Sequence, residues 1–300
     1  MTKTLTIFTP TYNRAYILPQ LYESLVHQTN NSFVWLIVDD GSTDNTKELV
    51  DVWIKEGKIE IVYHAQLNQG KHIAHNQGVR LCETPLFFCV DSDDYLSQDA
   101  VSSIVEIFKE EQDNSVLGLY MRRGDYCGIP TGQNWPEKIK YTTINGLYQK
   151  YHFRGETAII LKTAMIRPFS FPQFKNEKFV RESVLYDQIN NLGLMRVDNR
   201  VCYLFEYKED GYTAQGMKLE FDNPKATAYN YLHHIPYTRN IIEKFKFMAQ
   251  YYAWQHMFKI QESLFETIKT PFYIKFGGRL LEIHYLNLFR KLKEALKNEA

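Results

Sequence analysis

An α/β fold organised on a largely parallel sheet is predicted by three features of the sequence. Short apolar runs alternate with segments of helical period over roughly the first hundred residues, each run ends in a polar loop, and no low-complexity linker or internal repeat breaks the series. Strands joined by right-handed crossovers carry the loops that follow them to one edge of the sheet, so the polar loops are expected to converge.

Residues 4–9 read as the first strand, stopped by Thr9-Pro10-Thr11-Tyr12-Asn13-Arg14, a run rich in turn formers and hydrogen-bonding side chains. Ile17, Leu18, Leu21 and Leu25 then share one helical face. Phe33–Val38 is the second strand, and Asp39-Asp40-Gly41-Ser42 leads into a helix with Ser42 as its expected N-cap. The third strand is Ile59–Tyr63, after which Asn68-Gln69-Gly70-Lys71 opens a helix through Ala74 to Leu81. Leu86–Val90 is the fourth strand, and a helix over Ser97–Glu110 follows with Ser97 as candidate cap. After a strand at Val116–Met121 the pattern loosens through Gly124, Gly128, Pro130, Gly132 and Pro136, a region suited to a variable substrate wall. Thr157–Leu161 and Val201–Tyr207 read as further strands, Phe179–Asp187 enters a helix, and from about Met217 the chain is mostly helical. This later part reads as mixed rather than doubly wound.

Three hundred residues with 44% hydrophobic content suffice for a sizeable core. Lys+Arg 35 balance Asp+Glu 35, so no global field draws in nucleic acid and charge-based recognition is local. Cys82, Cys89, Cys127 and Cys202 form no CxxC pair, no secretory leader is recognisable, and no apolar run approaches the ~18 residues of a membrane span. A cytoplasmic protein is expected, at most associated with the inner face of a membrane.

The run Phe87-Phe88-Cys89-Val90 ends in Asp91, Asp93 and Asp94, three carboxylates within four residues. Carboxylates this close repel one another unless a cation or a hydrogen-bond network neutralises them, so the cluster either faces bulk water as an acidic turn or holds a metal. Strand ends in open α/β sheets are where ligands bind.

TPTYNR at 9–14, VDDGSTDNT at 38–46, NQGKHIAHNQG at 68–78 and DSDD at 91–94 occur in this order, each after or beside a predicted strand. Together they resemble the family 2 glycosyltransferases, strongly over roughly the first 120 residues and more faintly to about residue 215. The resemblance implies a nucleotide-sugar-binding domain of GT-A type and sugar transfer with inversion at the anomeric carbon. With the boundaries near 115 and 215 that the change of pattern along the chain suggests, the resemblance reads 1–115 as a nucleotide-sugar-binding half and 116–215 as an acceptor-binding half of the same domain, followed by a helical extension at 216–300. It places Thr9, Pro10, Tyr12, Arg14, Asp40, Asn68, Gly70, Lys71, Asp91 and Ser92 around the donor, with Asp40 as the base contact and Asp91 on the ribose or sugar. His75 stands where many relatives carry Arg. Asp93 corresponds to the carboxylate that reaches a divalent cation, Mn2+ or Mg2+, bridging the donor's diphosphate. For the base, the family pattern of Glu-Asp before a helix meets Glu182-Ser183 here, which leaves Glu182 as first candidate and Asp187 in reserve. Glu156, after Gly155, is a further candidate for the acceptor site. The expected partners are a nucleotide sugar, in the first instance a UDP-sugar, and a glycan or lipid-linked acceptor of polysaccharide or glycolipid synthesis.

Towards the C-terminus, Leu281, Tyr285, Leu288, Phe289, Leu292 and Leu296 recur at helical spacing and suggest one apolar face, beside Lys275, Arg279, Arg290, Lys291, Lys293 and Lys297. Packing on the catalytic domain, a second subunit or a membrane surface would each use such a tail. Two rival functions stand beside the transferase. A sugar nucleotidyltransferase needs a Gly-rich activating loop after the first strand, which TPTYNR does not provide. A non-catalytic nucleotide-sugar-binding protein would explain Ser183 in place of a second carboxylate.

Overall fold

The computed structural model describes residues 3–133, 135, 138–206, 212–261 and 268–298. The expected loop residue Pro136, the strand end at Tyr207 and the side chain of Lys297 lie outside the described residues. The chain forms two compact units, residues 1–170 with 188–208, and residues 171–187 with 209–300.

In chain order the elements are β1 (Leu5–Thr11), α1 (Leu18–Val26), β2 (Phe33–Asp39), α2 (Thr46–Glu56), β3 (Ile61–Ala65), α3 (Lys71–Leu81), β4 (Leu86–Cys89), β5 (Tyr95–Leu96), α4 (Ala100–Glu110), β6 (Val116–Gly124), β7 (Tyr141–Thr142), α5 (Gly146–Gln149), β8 (Thr157–Lys162), α6 (Thr163–Ile166), α7 (Ser183–Ile189) and β9 (Leu194–Leu204). The strands belong to the first unit and make one sheet in the order β3-β2-β1-β4-β8-β6-β9-β5, with β7 on β9. β1 is buried along its whole length and lies between two parallel partners, Leu5 pairing with Phe33 of β2 and Leu86 of β4. That position explains why Thr6, Thr9 and Thr11 are buried along with Leu5, Ile7 and Phe8, instead of burial alternating along the strand. β3 adds in parallel to β2, while β8 runs antiparallel to both β4 and β6. The parallel half and the mixed remainder therefore match expectation, and the whole is an α/β sheet of GT-A architecture.

Packing on one face of this sheet is aromatic as well as aliphatic: Tyr22 of α1 stacks on Trp53 of α2 at 4.3 Å between ring centroids, and Trp53 stacks on Trp35 of β2 at 5.7 Å. Leu5, Ile7, Phe88, Leu119 and Ile160 continue the same core across the sheet.

Several local expectations are corrected. Ser42 does not cap α2; its hydroxyl accepts the Asn13 N–H at 2.8 Å, and Asp44 instead takes the N–H and hydroxyl of Thr46, at 3.1 and 2.6 Å. Ser97 is not the cap of α4, which begins at Ala100; its hydroxyl donates to the Val201 carbonyl at 2.9 Å, tying the segment after β5 to β9. β6 runs three residues beyond the expected Met121, and β9 starts at Leu194 instead of Val201, because irregular parallel pairing with β6 carries both strands through polar residues.

The second unit is helical: α8 (Tyr212–Asp222), α9 (Pro224–Tyr237), α10 (Ile241–Phe258) and α11 (Phe272–Asn298). α9 starts where Pro224 needs no N–H partner and the Glu177 carboxylate accepts the N–H groups of Lys225 and Ala226 at 2.9 and 2.8 Å. Asn240 caps α10 by accepting the Ile242 N–H at 2.9 Å. Tyr231, Trp254, Ile274, Leu286 and Phe289 form its core. The single apolar face expected of α11 divides in the structure, since Phe289 is buried whereas Leu281 and Leu288 are exposed. No described helix is long and apolar enough to cross a membrane.

Gly118 marks the tightest approach in the sheet, because a Cβ there would sit 2.1 Å from the Ile160 carbonyl oxygen. Gly118→Ala must push β6 from β8, and is expected to cost about 1–3 kcal/mol of stability, read as a lower urea midpoint by circular dichroism.

Candidate active site

The parallel register brings the ends of β1, β2, β3 and β4 to one edge of the sheet, and the loops that leave them are clasped to one another. In the first loop Asn13 adopts φ 53°, which turns its side chain and N–H toward the second loop: its side-chain oxygen Oδ1 accepts the Thr43 N–H at 2.7 Å, beside the Ser42 contact already described. Asp44 also accepts the Ala15 N–H at 3.0 Å. Pro10 is buried and Tyr12 exposed, and Arg14 bonds the Tyr16 hydroxyl. Thr9 faces the core, where its hydroxyl accepts the Trp35 indole N–H at 3.0 Å, so its contribution to the loop side is its backbone.

Asp40 organises the third loop. Its buried carboxylate accepts the Gln66 side-chain amide at 2.7 Å and the N–H groups of Gln69 and Gly70 at 2.9 and 2.7 Å. Three of the roughly four acceptor positions of a carboxylate are thus filled by protein. Asp39 is filled likewise, by the Tyr63 hydroxyl at 2.5 Å and the Ser42 N–H at 2.7 Å. Gly70, at φ 96° and ψ 156°, has a backbone that only glycine adopts without strain, and Asn68 lies partly buried in the same loop. The next residue, Lys71, opens α3 and places its ammonium 2.7 Å from the Asp91 carboxylate.

Around Asp91 the carboxylates are held in different states. Burial raises the Asp91 pKa, but Lys71, with help from Arg123 and Arg14, more than offsets this and holds it below the usual carboxylate range. Asp94 is pushed up to about 7, by burial first and by the charge of Asp91 second, against the pull of Arg123 and the Tyr203 hydroxyl. Arg123 lies 2.9 Å from Asp94 and 3.0 Å from Glu156, with its guanidinium 4.0 Å over the Tyr203 ring and 4.5 Å over Phe205. The Tyr203 hydroxyl accepts the Asp91 N–H at 3.0 Å and donates to Asp94 at 2.6 Å, bridging the two ends of the acidic loop. Ser92 is buried between them in sequence.

The structure thus joins Asp40, Gly70, Lys71 and Asp91 through direct contacts or adjacent positions. Arg123 and Tyr203 complete the group, and motif reading misses both. One signal was present: Arg122-Arg123 follow directly on the apolar run of a buried strand, and arginines so placed need polar partners. Glu182 and Asp187 belong to the second unit. Glu182 is exposed, whereas Asp187 is buried and bonded to Nδ1 of His234, whose Nε2 lies 3.3 Å from the Ser183 hydroxyl.

Among the described residues no cluster of three or more His, Cys, Asp or Glu side chains could hold a metal alone. Asp91 is committed to Lys71, and Asp94 to Arg123 and Tyr203, which leaves Asp93, partly exposed, as the open carboxylate of the three. One carboxylate suits a small hard cation that takes the rest of its shell from phosphate oxygens and water, so the donor set fits a cation arriving with a diphosphate.

The sequence model described as glycosyl transferase family 2 matches residues 6–168, more than half of the chain. Chondroitin synthase of Escherichia coli is 29% identical over 207 residues, which cover 66% of this chain and 28% of that protein. Across the first curated relatives matched, the chain spans less than half their length. Among solved structures, Staphylococcus aureus TarS 1–349 in complex with UDP-GlcNAc superposes with a TM-score of 0.63 at 16% identity, covering 92% of this chain and 79% of that one. A mannosyltransferase of Pyrobaculum calidifontis in complex with GDP-Man and Mn2+ gives a TM-score of 0.52, also at 16% identity, covering 94% and 88%. At that identity the likeness concerns the fold.

His75, at the position of the expected arginine, packs among aromatic rings. Its ring lies edge-on to Phe8 and Phe87, at 5.7 and 5.3 Å, and burial, aided by the Lys71 charge, lowers its pKa from 6.5 to about 3. The unfolded chain protonates this residue at a pH where the folded chain does not, so its contribution to stability is whole above pH 6.5 and is lost as pH falls toward about 3. His75→Leu is expected to narrow the gap in unfolding free energy between about pH 7 and about pH 4.5 by on the order of 1 kcal/mol in urea titrations.

Proposed function

The chain belongs to glycosyl transferase family 2, and on that premise we propose that it is an inverting transferase moving a sugar from a nucleotide sugar to a hydroxyl of a glycan or lipid-linked acceptor. The observation that carries this reading is the convergence of Asp40, Lys71 and Asp91, through Asp40–Gly70 and Lys71–Asp91 contacts, at the ends of parallel strands. Two neighbours of the same fold hold nucleotide sugars, one with UDP-GlcNAc and the other with GDP-Man and Mn2+. A UDP-sugar is the donor we favour.

In this reading Asp40 meets the base with its remaining acceptor position while fixing the Gln66–Gly70 loop. Thr9, Pro10, Tyr12, Arg14, Asn68, Gly70 and Ser92 line the donor, Asp91 contacts the ribose or sugar, and Lys71 exchanges part of its Asp91 pairing for a phosphate. Asp93 would hold Mg2+ or Mn2+. Such a cation, when bound, offsets the charge that grows on the diphosphate as the glycosidic bond breaks. The acceptor oxygen attacks the anomeric carbon from the face opposite the nucleotide, the bond to the diphosphate oxygen breaks, and the hydroxyl proton passes to the base. Glu182 is that base in our proposal. Asp187, already bonded to His234, stands in reserve. The enzyme would work in the cytoplasm, at the inner membrane face if its acceptor is lipid-linked.

Incubation with a panel of nucleotide sugars and Mg2+ or Mn2+ is expected to release nucleoside diphosphate; release of pyrophosphate from a sugar phosphate and nucleoside triphosphate would establish the nucleotidyltransferase instead. Asp93→Ala is expected to lower turnover by at least about a hundredfold and to abolish the metal dependence of nucleotide binding in calorimetry, and unchanged metal dependence would remove Asp93 from its role. Glu182→Gln should lower kcat by about a hundredfold or more with donor affinity retained, and an active variant would pass the role to another group.

A further inference from the structure

We propose that α11 docks the protein on an anionic lipid surface through a stripe separate from its packed face. Phe272, Phe276, Leu280 and Ile283 are 81%, 58%, 71% and 71% exposed, and they recur at intervals of four, four and three residues, which places them along one side of the helix. Ile274, Leu286 and Phe289 are buried in the core of the second unit, so the exposed stripe is not the face that holds the helix in place. Tyr273, also exposed, sits at the stripe's margin with an aromatic ring that suits the headgroup level of a bilayer.

Charge selects the occupant. α11 carries Lys275, Arg279, Arg290, Lys291, Lys293 and Lys297 against Glu282 and Glu294. Arg279 is turned over the Tyr252 ring at 3.7 Å and is paired with Glu282, and Lys293 lies 4.4 Å from the Phe258 ring centroid. Lys275, Arg290 and Lys291 are exposed. Arg290 and Lys291 stand seven and eight residues after Ile283, on the line the stripe follows, and Glu294 is the carboxylate one turn beyond Arg290. An apolar stripe with cations at its ends is the composition of a helix lying in a membrane interface, where apolar side chains enter the acyl boundary and cations meet phosphate headgroups. A second copy laid antiparallel on the stripe would instead set Lys275 of one chain against Leu280 of the other, beside its half-exposed Arg279, and would leave Arg290 and Lys291 beyond the contact, so the exposed cations gain nothing from that pairing.

The proposal stands whether or not the transferase reading does, and flotation of the full chain with vesicles tests it. Binding to vesicles of phosphatidylcholine with phosphatidylglycerol is expected to exceed binding to phosphatidylcholine alone by about tenfold and to weaken in high salt. Phe276→Glu combined with Ile283→Glu should lower binding at least about tenfold, with the far-ultraviolet spectrum and unfolding midpoint retained. If that variant does not fold, Lys275→Gln with Lys291→Gln should still weaken binding to the anionic vesicles selectively. Absence of flotation on anionic vesicles overturns the proposal, as does equal flotation by the folded variants. A concentration-dependent dimer by light scattering that the Glu variant abolishes, with no vesicle binding, would assign the stripe to a second copy.

Discussion

The first unit depends on neutralising the charge crowded at the end of β4. Three carboxylates follow a buried apolar strand, and each one that is withdrawn from water must be answered by a specific partner or lose its charge. Lys71 answers Asp91 from the start of α3, while Arg123 of β6 and the Tyr203 hydroxyl of β9 answer Asp94. The two outcomes differ: Asp91 stays ionised below the usual range, and Asp94 is lifted to about 7 because it is buried next to that charge. A merely solvated acidic turn would need none of these partners.

This requirement gives the sheet order a chemical consequence. β8 inserts between β4 and β6, yet Arg123 and Tyr203 meet the acidic loop because β6 and β9 run on to Gly124 and Leu204, where the strand ends converge. Irregular pairing along β6 and β9 shifts their register on the way, and shifts of that kind re-aim side chains. Arg123 is then held on four sides, by Asp94, Glu156 and the rings of Tyr203 and Phe205, so its guanidinium is a fixed cation instead of a mobile one. Asp40 has the corresponding role in the neighbouring loops, since it orders the backbone of Gln69 and Gly70 immediately before Lys71. The Lys71 side chain therefore leaves a backbone that is already set by these bonds.

Much of this was legible in the sequence because its signals are local. Apolar runs, unbroken in β2 and β4 and mixed with threonines in β1, identified these strands, and Asn68-Gln69-Gly70-Lys71 located the start of α3. What could not be read depends on which of several equivalent groups a distant residue engages. Ser42, Thr43 and Asp44 could each accept from the start of α2, and the first loop engages all three, Asn13 taking Ser42 and Thr43 while Asp44 divides its carboxylate between Ala15 and Thr46. Ser97 is drawn to Val201, and Thr9 to Trp35, by partners more than twenty residues away. The pairing of Asp94 with Tyr203 spans over a hundred residues, and no spacing rule reaches that far.

The helical unit shows the same limit from another direction. A period of 3.6 residues reveals that a helix has an apolar side, but a helix apolar on two sides blurs the pattern, since both stripes contribute to it. In α11 the inward set runs through Ile274, Leu286 and Phe289, while Phe272, Phe276, Leu280 and Ile283 form another line. Sequence spacing merges them into one amphipathic tail; burial separates them. Once they are separated, the described cations also divide: Arg279, half exposed, and Lys293 lie over aromatic rings of α10, while Lys275, Arg290 and Lys291 face solvent. A cation held over a ring or paired with a carboxylate adds less to an external field than a solvated one, so Lys275, Arg290 and Lys291 dominate the electrostatic attraction exerted by the described part of this helix.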